Sequence, residues 1–311
     1  MTLGLVLGFL ADQTFGDPRR GHPVAGFGQL ASLAEKQLHA PSRTRGAVAV
    51  VALVTSTAGL GLLERRLPTP ARAVLAAATT WAVLGGRSLA REGEAISALL
   101  EGDDVAGARL RIRNLVGRDP GSLDANGIAR ACVESIAENS ADAVVAPLFL
   151  GAVAGVPGLL GYRAINTLDA MWGHRNERYR EFGWAAARLD DVANWLPARL
   201  TVALNAALVS GTTAGLGGGV QVVRVVRRDA PAHPSPNAGP VEASWAAALG
   251  VRLGGTNHYD GVDEDRGHLG DGPPVTVADI PRATQHLSRL STAALVALVS
   301  ARVLVRGRRT S

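Results

Sequence analysis

Long stretches without a charged residue constrain this chain more than any other feature of its sequence. Three of them, 46–63, 143–162 and 200–223, are 18, 20 and 24 residues long. A helix needs about 20 apolar residues to cross the hydrocarbon core of a bilayer, whereas a run of about 10–14 is typical of a buried helix in a soluble core. The sequence therefore predicts a polytopic membrane protein.

Shorter apolar runs extend this prediction. Residues 73–86 and 290–301 are long enough only if the flanking arginines reach the membrane interface. Residues 1–11 lack a basic leading segment and a small-residue cleavage site, so they are interpreted as a short first helix and not as a signal peptide. Strand patterns are scarce. We expect an all-α fold with about four to five membrane helices and long polar loops, forming one membrane-embedded domain over 1–311 without a separate soluble domain.

The run 143–162 differs from the others because it contains Pro147, Pro157 and four glycines. Broken backbone at membrane depth is tolerated where it is buried in protein or lines a cavity. We therefore expect a broken or re-entrant segment here, which would keep the long polar stretches on one side of the membrane.

The composition agrees with a membrane protein and excludes several other classes. Hydrophobic residues make up 47% of the chain while aromatic residues make up only 4%, and the single cysteine, Cys132, cannot form an internal disulfide. The net charge of +5 comes almost entirely from arginine, because Lys36 is the sole lysine. The arginines are scattered between apolar runs, so we expect anionic lipid headgroups and small anions as their partners, and no nucleic acid.

Acidic residues with helical spacing are the first candidates for chemistry. Glu134, Glu138 and Asp142 are four residues apart, which would place three carboxylates on one face of a helix. Such carboxylates repel each other, and Mg²⁺ would offset the repulsion because it binds one or two carboxylates together with water and phosphate oxygens. A solvated helix face with arginines nearby remains the alternative.

A second group of polar residues follows the run 143–162. Asp190 and Asp191 with Asn194 repeat a spacing that suits a metal, and Arg188 suits phosphate recognition. His174 is a candidate base or metal ligand, or an interfacial histidine.

A loop rich in proline and glycine covers residues 229–242 and is able to present backbone donors to phosphate or to serve as a linker. The sequence has no glycine-rich phosphate loop of the Walker type and no histidine and cysteine spacing for zinc.

Four motifs in order give the chain a recognisable pattern. They are GDP followed by HPV near the amino terminus, ESIAENSAD leading into APLF, NTLDAMWGHR followed by ARLDDVANWLPARL, and HPSPNAGPVEA followed by LGG and YDG. Together they resemble the CobD/CbiB family of cobalamin biosynthesis, the adenosylcobinamide-phosphate synthases. The resemblance extends from about residue 3 to about residue 275.

The resemblance implies a multi-pass enzyme of the cell membrane. Its expected reaction joins (R)-1-aminopropan-2-ol O-phosphate, or free aminopropanol, to a propionate carboxyl of adenosylcobyric acid, with Mg²⁺ as cofactor and ATP as co-substrate. Other enzymes of corrinoid synthesis are expected as partners, together with membrane lipid. An unactivated carboxylate does not form an amide spontaneously in water, so the expected route passes through an acyl phosphate.

The resemblance also implies roles for individual residues. The expected metal ligands are Glu134, Glu138, Asp142, Asp190 and Asp191. The expected catalytic residues are Asp169, His174 and Arg175. The residues expected to bind substrate or phosphate are His22, Asn166, Arg188, His233, Ser235, Asn237 and Tyr259.

Two other functions remain open from the residues alone. Asn166 and Asp169, with the 190–194 segment, loosely imitate the aspartate motifs of membrane prenyltransferases, although an acidic residue is missing from each. A transporter is the non-enzymatic alternative, but it would be expected to carry ionisable residues inside its spans rather than at their ends.

Overall fold

The structure is a computed structural model that describes residues 1–18, 21–117, 120–174, 176–212, 215–259 and 262–310, without the side chains of 256–264, 306, 309 and 310. Over these residues the fold is almost entirely helical, as predicted. The helices are α1 (Thr2–Phe15), α2 (Pro23–Leu38), α3 (Arg43–Gly61), α4 (Thr69–Val83), α5 (Gly86–Glu101), α6 (Val105–Ile112), α7 (Ala125–Ser140), α8 (Ala146–Trp172), α9 (Trp184–Ala193), α10 (Trp195–Ser210), α11 (Gly215–Asp229), α12 (Ala238–Leu249) and α13 (Asp279–Thr310). The two strands are β1 (Leu253–Tyr259) and β2 (Val262–Leu269).

Four helical segments of the described chain are long and apolar enough to cross a membrane: Arg43–Arg66, Thr69–Glu101, Ala125–Trp172 and Asp279–Val305. A fifth is possible by length if the bent pair Trp184–Ala193 and Trp195–Ser210 forms one span. The expected number of four to five membrane helices is confirmed by length and composition, and α1 is the expected short apolar helix.

One of the predicted spans is wrong. The apolar run 200–223 is divided between α10, which ends at Ser210, and α11, which begins at Gly215. Gly215, the first residue of α11, has a φ of 58°, a left-handed conformation that glycine adopts without strain and that does not occur within a regular helix. Absence of charge in the sequence does not reveal such a break.

The run 143–162 is broken, as its glycines and prolines predicted. Within α8, Gly155 has a φ of 73° and a ψ of −151°, and Pro157 follows two residues later. Proline lacks the amide hydrogen that a continuous helix needs, so the backbone bends at this point. The re-entrant course of this segment stays a prediction.

The chain divides into two compact units. Unit 1 comprises Met1–Arg87, Asp142–Asn194 and Ala294–Ser311, and unit 2 comprises Ser88–Ala141 and Trp195–Ala293. The expectation of a single membrane-embedded domain stays a prediction.

Small residues allow the helices of unit 1 to pack closely. A Cβ atom on Gly4 would collide with Ala76, and one on Gly8 would collide with Thr80, so α1 approaches α4 through two glycines four residues apart. This spacing is a common device for close contact between membrane helices. Gly61 similarly lies against the backbone of Pro157.

Unit 1 also has an aromatic core beside the segment 173–183. Trp172 and Phe182 are fully buried with ring centroids 5.1 Å apart, and they pack with Leu168 and Val50. The two aromatic rings lie at the two ends of the segment that joins α8 to α9, so they anchor both ends.

Unit 2 is formed largely by stretches that the sequence predicted as polar loops. Residues 87–142 instead contain α5, α6 and α7, and Asp124 caps α7 by accepting a hydrogen bond of 2.7 Å from the Gly127 amide. α7 buries Ile128, Cys132 and Ile136 in the unit's core. Charged residues alternate with the apolar residues of these helices. A search for uncharged runs therefore did not find them.

The hairpin of β1 and β2 was missed. Its strands pair antiparallel, with a bulge between Gly254 and Thr256. Gly254, Gly255 and Gly267 have φ values of 76°, 88° and 67°, which require glycine or cost strain. The irregular pattern produced by these glycines explains why no regular alternation of polar and apolar residues marks the strands.

Candidate functional site

The predicted stripe of Glu134, Glu138 and Asp142 is interrupted by a change of helix type. α7 ends at Ser140, and the backbone then forms a π-helical turn over residues 141–145 before α8 begins. A π turn has one more residue per hydrogen-bonded ring than an α-helix, so a spacing of four no longer keeps residues on one face. Glu134 and Glu138 belong to unit 2, whereas Asp142 belongs to unit 1.

In unit 1, polar side chains from three segments converge on what we call the aspartate cluster. Its members are Asp142, Tyr162, Asn166, Asp169, Asp190 and Asn194. The amide of Asn166 lies 3.5 Å from Oδ2 of Asp142 and also interacts with Asp190. The structure therefore brings together residues that are up to 52 positions apart in the sequence.

Tyr162 and Asn194 support the cluster from its buried side. The Tyr162 hydroxyl donates to Oδ1 of Asn194 at 2.9 Å and lies 3.1 Å from the carbonyl oxygen of Asp142. The Asn194 amide then donates to Oδ2 of Asp190 at 2.9 Å. Because Asn194 is 2% exposed, its orientation is determined by these two bonds.

Asp190 is the member of the cluster that has a buried oxygen without a partner in the described structure. Its Oδ1 atom is buried and has no hydrogen-bond partner among the described residues, and the carboxylate of Asp169 repels it electrostatically. A buried carboxylate oxygen without a donor costs on the order of 1–3 kcal/mol or more. A cation or a ligand donor would remove this cost.

The oxygen donors of the aspartate cluster fit a magnesium ion held by few protein ligands. Among the described residues no group of three or more histidine, cysteine, aspartate or glutamate side chains is arranged to hold a metal by itself. Mg²⁺ commonly binds through one or two carboxylates and completes its octahedron with water and substrate phosphates. Asp190 and Asp142, each linked to Asn166, are carboxylates of this kind. A dedicated cage of protein ligands is not present in the described part of the chain.

Arg163 is a charged residue that the sequence reasoning missed, although it directly follows the apolar run 143–162. Its guanidinium forms no hydrogen bond with any described residue, and its Nε atom is buried. Asp17 and Asp142 are near enough to attract it. An ionisable residue within an apolar helix is by default a candidate functional residue, and that position was the available signal.

The segment 173–183 holds two predicted catalytic residues. His174 is exposed, with its ring 6.1 Å from that of Tyr179, and it forms no hydrogen bond with the aspartate cluster in the described structure. Arg175 lies outside the described residues.

The two charged residues predicted near this cluster on α9 pair with each other. Arg188 is exposed and lies 3.6 Å from a carboxylate oxygen of Asp191. A metal on Asp191 would compete with this pair, whereas Asp190 has no arginine within salt-bridge distance among the described side chains.

Glu35 holds the segment 173–183 in place and was not predicted. It accepts hydrogen bonds from Trp172 at 3.2 Å, from Arg178 at 2.7 Å and from the hydroxyl of Tyr179 at 2.9 Å. Partial burial acts to raise the pKa of the Glu35 carboxyl, but the three donors together lower it below its ordinary value.

His22 has a structural role at one of its two nitrogens. Its Nδ1 accepts a hydrogen bond of 3.2 Å from the Val24 amide and caps α2, and Pro23 occupies the first helical position. Its Nε2 lies 4.0 Å from Asp17. The predicted substrate contact of His22 stays a prediction.

In unit 2, Glu134 is bonded to the protein itself. Its Oε1 accepts a hydrogen bond of 2.9 Å from the Gly254 amide, and Arg130 donates to the Gly254 carbonyl. Arg130 is also 3.9 Å from Glu134. Glu134 therefore joins α7 to β1, with Arg130 beside it. The predicted metal contact of Glu134 stays a prediction.

Glu138 has a different environment. Its side chain is exposed, and the guanidinium of Arg266 on β2 attracts it. The alternative of a helix face with arginines nearby therefore describes Glu138 better than Glu134, which is only 8% exposed.

In the loop that carries His233, Ser235 and Asn237, side chains accept hydrogen bonds from the loop's own backbone amides. His233 Nδ1 accepts from the Ser235 amide at 3.1 Å, and the Ser235 hydroxyl accepts from the amides of Asn237 and Ala238 at 3.3 and 3.1 Å. Asn237 accepts a hydrogen bond of 2.7 Å from Arg199. These acceptors shape the start of α12.

His233 is a buried neutral base beside a carboxylate. Its Nε2 lies 3.6 Å from Oε1 of Glu242, and both side chains are 2% exposed. Burial, followed by the positive charge of Arg266, lowers the pKa of His233 to about 4. Glu242, Arg199 and Arg266 were not predicted, and the side chain of Tyr259 lies outside the described residues.

The comparisons with known proteins agree on one family. The family model described as CobD/Cbib protein matches residues 5–287. The chain belongs to the CobD/CbiB family. No solved structure matches this member of the family.

Curated relatives cover nearly the whole chain. The protein from Mycobacterium tuberculosis named Cobalamin biosynthesis protein CobD is 51% identical over 300 residues, which are 95% of this chain and 94% of the relative. Proteins of the same name from Chromobacterium violaceum and Rhodobacter capsulatus are 43% and 44% identical, over 92% and 85% of this chain and 92% and 84% of the relatives.

For this CobD/CbiB family member, the structure groups the predicted residues in two places. Asp142, Asn166, Asp169 and Asp190 meet in unit 1, while Glu134, Glu138 and His233 belong to unit 2 with their arginine neighbours. Family membership favours the cobalamin interpretation over the prenyltransferase and transporter alternatives.

Proposed function

We propose that this protein acts in cobalamin biosynthesis as an acid–amine ligase of the cell membrane. The proposed reaction joins (R)-1-aminopropan-2-ol O-phosphate to adenosylcobyric acid with ATP and Mg²⁺, giving adenosylcobinamide phosphate. Relatives that carry the name of a cobalamin biosynthesis protein over nearly the whole chain support the pathway. The apolar helices support the membrane.

The single observation that carries the chemical part of the proposal is the buried, unbonded Oδ1 of Asp190 within a cluster of oxygen donors. An enzyme that transfers a phosphoryl group works mainly by positioning and by neutralising charge. A carboxylate oxygen without a donor, beside a second carboxylate that repels it, suits a bound cation.

The proposed chemistry has two balanced steps. A carboxylate oxygen of the corrinoid attacks the terminal phosphorus of ATP, the bond from that phosphorus to ADP breaks, and an acyl phosphate forms. The amine nitrogen then attacks the acyl carbon, phosphate departs, and the nitrogen loses a proton as the amide forms. The first step activates a carboxylate that would not otherwise react with an amine in water.

Residues of the aspartate cluster have distinct proposed roles. Asp190 and Asp142 would hold Mg²⁺, which when bound supplies positive charge to the phosphate oxygens of ATP. Asn166 orients both carboxylates through its amide. Asp169, which is partly exposed and adjacent to Asp190, is the proposed acceptor of the amine proton.

The experiment uses full-length protein purified in detergent. It is incubated with adenosylcobyric acid, ATP, Mg²⁺ and the amine phosphate, and mass spectrometry detects the amide product together with ADP. Asp190→Asn is expected to lower the rate by about a hundredfold or more, because it removes a charge from the site where phosphate charge is neutralised.

Asp103→Asn is the matched control. Asp103 is exposed in a turn with a φ of 57°, a conformation that asparagine also adopts readily, so activity should be unchanged. Absence of product with folded wild-type protein would overturn the proposed function. Equal rates for Asp190→Asn and wild type would overturn the role of the aspartate cluster.

Co-purification after mild extraction tests whether other corrinoid-synthesis enzymes are partners. Retention of an enzyme that supplies or consumes a corrinoid would support a membrane-tethered assembly. Loss of all such enzymes under conditions that keep this protein folded would count against it.

A further inference from the structure

A small pocket in unit 1 lies beside the aspartate cluster. Helices α2, α3, α4 and α8 form its walls, and its volume is about 260 Å³. The walls are mostly apolar, with polar groups from Thr57, Thr79, Thr167 and Arg163. Arg163 is the only charged residue that lines it within the described part of the chain.

The guanidinium of Arg163 has donors to offer. It carries five N–H groups in a planar fork, and none of them bonds to a described residue. An arginine in an apolar, partly buried setting gains most from an oxyanion that accepts two of these bonds at once. The pocket therefore has a strong binding group for a phosphate or a carboxylate.

The volume restricts the size of the ligand. With about 30 Å³ for each water-sized group, 260 Å³ holds roughly nine non-hydrogen atoms. A nucleotide and a corrinoid are several times larger. A phosphate monoester with a three-carbon chain and an amine has about this size, and its methyl group suits the apolar walls.

One guanidinium and two carboxylates lie near the pocket, so they suit a ligand that carries both a negative and a positive group. Asp17 and Asp142 lie near Arg163 without forming hydrogen bonds to it. A phosphate on Arg163 would leave the ammonium group of the same small molecule near carboxylates. Asp142 also belongs to the aspartate cluster, so the amine would lie beside the groups assigned to the chemistry.

We propose that this pocket is the binding site for a short amino-alcohol phosphate and that Arg163 holds its phosphate group. The inference rests on the proposed function for the identity of the ligand, and it selects the phosphorylated amine over free aminopropanol. Arg163 is a binding residue for the substrate and takes no part in bond formation.

Binding is measured on the full-length protein in detergent, without corrinoid, by separate calorimetric titrations of four probes: 1-aminopropan-2-ol O-phosphate, free aminopropanol, inorganic phosphate and ATP. The amine phosphate is expected to bind most tightly. Arg163→Gln should weaken this binding by about ten- to a hundredfold, as expected for the loss of charge-assisted hydrogen bonds. Arg65→Gln, which alters an exposed arginine of the same unit, should leave it unchanged.

A second variant keeps the test decisive if Arg163→Gln does not fold. Ala78 lines the pocket, so Ala78→Phe fills it without changing any charge. It should weaken binding of the amine phosphate while leaving ATP binding unchanged. Undiminished binding of the amine phosphate to either folded variant would overturn the proposal.

The turnover assay separates this inference from the proposed function. Arg163→Gln is expected to raise the KM for the phosphorylated amine by at least about tenfold and to leave the KM for free aminopropanol unchanged. Arg163-dependent binding without any amide product would uphold the pocket and overturn the ligase. Amide formation with an unaltered preference between the two amines would uphold the ligase and overturn the pocket.

Discussion

The amide of Asn194 donates a hydrogen bond of 2.9 Å to Oδ2 of Asp190, one helical turn earlier in the chain. This bond occupies one carboxylate oxygen and leaves the buried Oδ1 without a donor among the described residues. Asn194 is itself held by the hydroxyl of Tyr162. Two uncharged side chains therefore orient the carboxylate of Asp190.

Asn194→Ala is expected to disorder Asp190 and to raise the Mg²⁺ concentration needed for half-maximal ligation by about tenfold, because the carboxylate loses its support. The measurement is the amide-forming rate as a function of Mg²⁺ concentration. Asn114→Ala, at an exposed position of unit 2, serves as the control. An unchanged Mg²⁺ requirement in the Asn194 variant would show that Asn194 does not position the metal site.

Glu35→Gln is expected to lower the free energy of unfolding by about 1–3 kcal/mol at pH 7, because three donors lose a charged acceptor. The pKa of Glu35 is lowered on folding, so its contribution is present above its unfolded pKa and is lost as the pH falls through the folded value. The difference from wild type should therefore shrink below about pH 4.

Thermal unfolding followed by tryptophan fluorescence at pH 7 and at about pH 3 measures this difference. Glu177→Gln, an exposed carboxylate in the same segment, is the control and should have no effect. A Glu35 variant as stable as wild type at pH 7 would show that these hydrogen bonds do not hold the segment 173–183.

His233 is expected to make stability depend on pH. Its pKa is lowered to about 4 in the folded protein, so the folded state binds fewer protons than the unfolded state between that value and about 6.5. The free energy of unfolding should fall as the pH drops through this window, by roughly 1–2 kcal/mol between pH 8 and pH 5.

His233→Asn keeps a hydrogen-bond acceptor but cannot titrate, so it should flatten this part of the pH profile. His174→Asn, which alters an exposed histidine, should leave the profile as in wild type. The measurement is the melting temperature in detergent at half-unit pH steps. Identical profiles for wild type and His233→Asn would contradict the assignment.

Gly8→Ala is expected to destabilise the contact of α1 with α4 by about 1–3 kcal/mol, because its Cβ would collide with Thr80 and with the Ala77 carbonyl. Gly26→Ala is the matched control on α2. It has open space around it and should be neutral or stabilise the helix by about 0.5–1 kcal/mol. The melting temperatures of the two variants show whether close packing or helix propensity determines the effect of replacing a glycine by alanine.

Long-range contacts limited what the sequence could predict about the candidate site. The spacing of Asp190 and Asn194 placed them on one side of a helix, and in the structure the Asn194 amide donates to Asp190. Their proposed metal-binding role stays a prediction. The link of Asn166 to Asp142 joins residues 24 positions apart and depends on how α8 packs after the π turn. Spacing rules describe one regular helix, so they failed where the helix type changed.

Burial separates carboxylates that look alike in the sequence. Glu134 and Glu138 are one helical turn apart, yet Glu134 accepts a bond from the Gly254 backbone while Glu138 is exposed near Arg266. Those partners come from a hairpin whose glycines hid it from the pattern of polar and apolar residues. The same reason explains why Arg266 was missed.

The sequence by itself determined that this chain is helical, enters a membrane and belongs to the CobD/CbiB family. The length of the apolar runs predicts membrane helices, because that length can be counted directly in the sequence. The four motifs and their order along the chain identify the family. Tertiary structure decided which polar residues meet, because Asp142, Asn166 and Asp190 come together only when separate parts of the chain pack. Their proximity and desolvation are properties of that packing, and these properties make them candidates for binding.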